Sequence, residues 1–87
     1  MSRYPTEPYN DEFNALAASS GLTKAQISEL IGLSVHTVIA YGRPPSNRSF
    51  VACPKHRLDM LKVALGKVLK DLDDNQRKRV LEIMRGD

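Results

Sequence analysis

Acidic residues are missing from the middle of this chain. Between Glu29 and Asp59 lie 29 residues with no Asp or Glu, and that window carries Arg43, Arg48, Lys55 and Arg57. Other absences exclude whole classes of function. A single cysteine cannot form an internal disulfide, which fits a reducing, cytoplasmic setting. No apolar run approaches the roughly 18 residues that a membrane span needs, and Met1-Ser2-Arg3-Tyr4-Pro5 leads into no signal-peptide core. There is no glycine-rich phosphate loop, no paired-carboxylate site and no Ser–His–Asp arrangement to propose, so an enzyme is not expected. Zinc wants three or four protein ligands, whereas the chain has two histidines and one cysteine. Neither a metal, a cofactor nor a small-molecule ligand is expected. Cys53 and His56 stand three apart, but with no acid nearby to orient the imidazole, Cys53 reads as a small cap or core residue.

What is present is helical punctuation. In the run TKAQISELIGLSVHTVIAY, residues 23–41, Thr23 and Gln26 form a capping box, with Leu22 and Ile27 in the places of a hydrophobic staple. Gly32 suits the left-handed residue that closes a helix. Ser34 then caps a second segment, with Leu33 and Val38 as its staple. The stretch therefore reads as helix, tight turn, helix. Ser28 supplies the small side chain that a steep crossing needs, and Val38 and Tyr41 point inward. The opposite face of the second segment then carries Val35, His36, Ile39, Ala40 and Arg43, with Thr37 at its flank.

The remaining segments follow the same logic. Residues 1–9, with Pro5, Pro8, Tyr4 and Tyr9, read as a loose arm. Asn10 is placed to cap a first helix of about residues 11–19, with Phe13, Leu16 and Ala17 on one face and Gly21 at its end. Pro44-Pro45, Ser46-Asn47 and Pro54 mark residues 42–54 as loop. Pro54 suits the first position of a longer helix, in which Leu58, Leu61, Leu65, Val68 and Leu72 share one face. Gly66 interrupts that helix at a cost of about 1 kcal/mol relative to alanine. Asp73 and Gln76 open a last helix that Gly86 ends. The expectation is one all-α domain, residues 10–87, of about five helices.

In the last helix Val80, Leu81, Ile83 and Met84 cover a wide apolar arc. Either it is the interface of a homodimer, or Leu81 or Ile83 swings into the protein's own core. The run Arg77-Lys78-Arg79 follows Asp71, Asp73 and Asp74 and reads as a solvated exterior or a second basic patch.

The stretch Lys24 to Arg43 resembles the helix-turn-helix of phage Cro and repressor proteins and of the related XRE-type regulators. The matching positions are Ser28, Gly32, Ser34 and Val38, which place a small residue, a glycine, a cap and an aliphatic at successive intervals of four, two and four. The proline-rich exit followed by a Leu-rich helix is also similar to small phage-encoded regulators, including those associated with anti-CRISPR genes. Two positions depart from the pattern. Lys24 stands where the family often has Gln, and Tyr41-Gly42-Arg43-Pro44 replaces the usual exit from the second helix.

The resemblance implies a lambda-repressor-like fold whose second helix of the pair enters the major groove of double-stranded DNA. It implies that Val35, His36 and Ala40 face bases, with Thr37 and Ile39 beside them. Their chemistry suits the role: Val35 and Ala40 fit a thymine methyl, and His36 can donate to guanine N7 or O6. Lys24, Ser34, Arg43, Asn47, Arg48 and Ser49 are the expected phosphate contacts, which fix register without reading sequence. The expected partner is an operator bound by a homodimer acting as a repressor. The competing expectation is an antitoxin or adaptor in which the same corner serves a protein partner. Single-stranded RNA is disfavoured because only Tyr41 and Phe50 lie in the basic window as stacking aromatics.

Overall fold

The first helix starts earlier than its capping pattern implies. In the computed structural model, which describes residues 7–85, α1 spans Glu7–Ser20, α2 Lys24–Ile31, α3 Val35–Tyr41, α4 Lys55–Val68 and α5 Asp74–Met84, with a short 3-10 turn at Leu69–Asp71. No strand occurs among the described residues, and the fold is all-α. Asn10 lies inside α1 instead of capping it, and its side chain is buried. Three tertiary hydrogen bonds, described below, hold it there. Glu7–Tyr9 of the expected arm are helical. Residues 1–6 and Gly86, the expected end of the last helix, lie outside the described residues.

Local chemistry sets the other starts and stops as expected. Thr23 and Asp73 each complete a capping box, with Gln26 and Gln76 respectively. Ser34 Oγ accepts the Thr37 N–H at 3.2 Å. Gly32 takes a φ of 70°, and Leu33 N–H closes back on the Ser28 carbonyl at 3.0 Å, which satisfies a carbonyl that the end of α2 would otherwise leave open.

The expected long helix is shorter than its apolar face. Pro54 is the N-cap, one place before its expected position, and α4 gives way to the 3-10 turn after Val68. Leu72 is in extended backbone and still buried, so it joins the core from outside the helix. Arg77 explains the stop. Its guanidinium donates to the Leu69 carbonyl at 3.1 Å and the Leu72 carbonyl at 2.9 Å, and also pairs with Asp74 at 3.0 Å. Arg77 is thereby part of the frame, whereas Lys78 and Arg79 remain exposed.

The core draws on every helix. Phe13 and Leu16 of α1 meet Ile27 and Ile31 of α2, Val38 and Tyr41 of α3, Leu58, Leu61 and Leu65 of α4, and Val80 of α5. Phe13 and Tyr41 meet edge to face, their ring centres 5.1 Å apart. Of the two readings of the α5 arc, the structure follows the one that turns Ile83 toward the core, and it removes Val80 from the expected interface. Val80 is fully buried and Ile83 and Met84 pack half-buried against the same core, so only Leu81 remains outside, 39% exposed. The reason is the close approach of α5 to α1. At Gly21, whose φ is 74°, a Cβ would collide with the Gln76 side-chain amide. Val80 thus belongs to the core of its own chain, and Ile83 and Met84 are partly spent on it.

Candidate nucleic-acid interface

The helical corner puts some of the expected readers outside and withdraws one. Val38 and Tyr41 are buried as the spacing requires, and Ser28 is buried at the crossing, its hydroxyl bonded to the Ala25 carbonyl at 2.7 Å. On the outer side His36 is exposed, while Val35, Thr37 and Ile39 are half-exposed. Ala40 is buried, 8% exposed, and cannot face a base as expected. Its methyl group is short and tilts back toward the preceding turn of α3, so it does not project beyond the longer side chains around it.

The expected phosphate contacts fall into two groups. Lys24, Arg43, Arg48 and Ser49 are exposed. Lys24 and the exit of α3 come together across the corner: the ammonium lies 3.3 Å from where a Cβ on Gly42 would stand. Ser34 and Asn47 have structural duties instead. The Ser34 hydroxyl caps α3 and shares a hydrogen bond with the Thr37 hydroxyl at 3.1 Å. Asn47 Oδ1 accepts the Ser49 N–H at 2.7 Å, which folds the loop that carries Arg48.

The bases of this face form no ion pair among the described residues, although Asp11 of α1 lines the same depression as Arg43 at the exit of α3. The ion pairs among the described residues are Lys55–Asp59, Lys62–Glu12 and Arg77–Asp74, none of which involves Lys24, Arg43 or Arg48. An exposed base that forms no ion pair keeps its field for whatever approaches.

Two residues matter for this face in a role that no local sequence signal reveals. Asn10 and Asn14 on α1 both donate to the Tyr41 carbonyl, at 3.0 and 2.9 Å, and so pin the end of α3. Asn10 also donates to the Val51 carbonyl at 3.0 Å and accepts the Cys53 N–H at 2.7 Å. One amide therefore braces the end of α3, the end of the following loop and the approach to α4. Buried polar groups are stable only when paired in this way. Nothing short-range marks these asparagines as braces, because their partners lie 27 to 43 positions away.

Cys53 itself is fully buried, and burial pushes its thiol up to about 11, with Arg57 pulling weakly the other way. A protonated, enclosed thiol is a core group, not a nucleophile. His56 is exposed on the first turn of α4, and no group of three His, Cys, Asp or Glu among the described residues is arranged to hold a metal. No described helix is long and apolar enough to cross a membrane. No family model matches the chain, and neither a curated protein nor a solved structure was found to match it.

Proposed function

We propose that this chain is a cytoplasmic, sequence-specific regulator that binds double-stranded DNA through the α2–α3 corner, a repressor acting as a homodimer on an inverted repeat. One observation carries the reading. The outer face of α3 is free of acid and is flanked by Lys24, Arg43 and Arg48, exposed and without ion-pair partners among the described residues.

On this reading α3 lies in the major groove with His36 as the principal base reader. Its imidazole donates to guanine N7 or O6, and Val35 and Ile39 give apolar contact to a thymine methyl. Thr37 sits at the edge of that footprint. Lys24 and Arg43 grip phosphate on one side of the groove, and Arg48 and Ser49 do so from the loop. The Asn10 and Asn14 brace holds these two groups at a fixed distance, so that register does not drift. A two-fold pair would present its recognition helices about 34 Å apart, on successive turns of the duplex. Repression follows from occlusion of the site.

The test is selection of bound duplexes from a random pool at physiological salt. Enrichment of an inverted repeat with half-sites about 10 base pairs apart is the expected result. A pool no different from its input would refute the reading. It would leave the corner as architecture, favouring the adaptor or antitoxin alternative.

A further inference from the structure

An open apolar groove runs between α2 and α4, and none of the residues assigned to DNA lines it. It is lined by Leu30 and Ile31 of α2 and by Met60, Val63, Ala64 and Val68 of α4. Three of these are large side chains left in water: Leu30 is 37% exposed, Met60 38% and Val63 60%. Stranded apolar groups on neighbouring turns mark an interaction surface.

The charges at its rim identify the occupant. Asp59 and Lys67 also line the groove, and each stands four residues from Val63, about 6 Å along the helix axis in opposite directions. If a second α4 lies antiparallel with the two-fold axis at Val63, Asp59 of each copy comes to the level of Lys67 of the other. Both ion pairs form at once, as an isologous interface demands. Asp59 pairs within its own chain with Lys55 at 3.1 Å through one carboxylate oxygen, and Lys67 has no ion-pair partner among the described residues.

Gly66 fits the same arrangement. It sits inside α4 without a positive φ, and nothing lies within 4 Å of a Cβ built there. The single chain therefore has no steric need for glycine, although glycine weakens a helix. Three residues beyond Val63, it comes to the level of Met60 of the second copy, three residues before Val63. The missing side chain leaves a dip where a protruding thioether can settle.

We infer that the α2–α4 groove is the self-association surface of this protein, its occupant a second copy of α4 running antiparallel about Val63. It provides the two-fold partner that the DNA-binding reading requires, but its test contains no DNA. Sedimentation equilibrium of the full chain should give twice the 9.7 kDa of one copy. Val63→Glu, at a site already largely in water, should sediment as a single copy with unchanged helical content. Asp59→Lys and Lys67→Asp should each weaken association by about tenfold or more, because both symmetry-related pairs become like-charged. An equimolar mixture of those two variants should recover the double mass, since in the mixed pair each of the two contacts again joins an acid to a base.

A wild-type chain that sediments singly overturns the inference, as does a Val63→Glu variant that stays paired or a mixture that does not recover. Failure of this kind leaves the assays on His36 and Arg48 untouched. Conversely, a paired chain that selects no DNA would retain the interface and lose the operator.

Discussion

Two short helices, α3 and α5, display apolar residues beyond what one buried stripe needs, and the fold treats them in opposite ways. α5 folds its surplus inward: Val80, Ile83 and Met84 all meet the core, and only Leu81 faces out. α3 keeps Val35 and Ile39 half in water around an exposed His36. The difference lies in what packs alongside. α5 is laid along α1, with the Gln76 side-chain amide against Gly21, whereas α3 packs on α2 and has its last residue tied to Asn10 and Asn14 of α1. An apolar arc thus becomes core or contact surface according to its neighbours, which the arc itself does not reveal.

A charge placed in each half of the α5 arc probes this contrast most severely. Val80→Asp should cost about 4 kcal/mol or more by burying an unpaired carboxylate, while Leu81→Asp should stay within about 0.5 kcal/mol. Denaturant unfolding of the two variants would measure both, and equal losses would mean that α5 is not seated as described.

Next in size is the brace under α3. Asn10→Ala leaves the Cys53 N–H and the Val51 carbonyl without their partner, and should cost about 2–3 kcal/mol in the same assay. Smaller again are the caps. Thr23→Ala and Asp73→Ala should each cost about 1 kcal/mol, read as a lower melting temperature. The thiol gives a pH signature of its own. Cys53 holds its proton to about pH 11 in the folded chain, against 9.0 for an unperturbed cysteine. Between those values the unfolded chain carries fewer protons, so stability is retained below pH 9 and falls as pH rises through the window. A Cys53→Ser variant should show a shallower fall, the remainder coming from Tyr41, whose hydroxyl is also pushed up by burial.

The smallest effect on stability and the largest on function belongs to α3. His36→Ala should leave unfolding within about 0.5 kcal/mol of wild type while altering which duplexes are selected. Arg48→Ala should weaken binding to all duplexes alike and lower the salt slope by about one. If neither variant changed binding, the outer face of α3 would not be the reading surface.

Much of the fold is legible in the sequence because helix ends are local. Thr23 with Gln26, Asp73 with Gln76, and Gly32 with Ser34 each act within a few residues, and all behave as their types demand. The departures have a common origin in long-range partners. Asn10 has the local setting of a cap and is a buried brace, because the groups that hold it are on α3 and the loop before α4. Leu72 keeps helical spacing because it is buried, although Arg77 ends the helix first. Ala40 is the local exception, since a helical wheel puts it on the face of His36 without showing that a methyl group stops short of the side chains around it. The Asn14 contribution and the α2–α4 groove are again long-range. Both exist only once separate helices are brought together.

The Asn10 brace also sets an order of events during synthesis. Its amide needs the carbonyls of Tyr41 and Val51 and the N–H of Cys53, so a growing chain can pin the corner to α1 before the ties to the following loop exist. A nascent chain stalled short of residue 51 could already hold α3 against α1 through Tyr41 and would still lack the ties that fix the loop carrying Arg48.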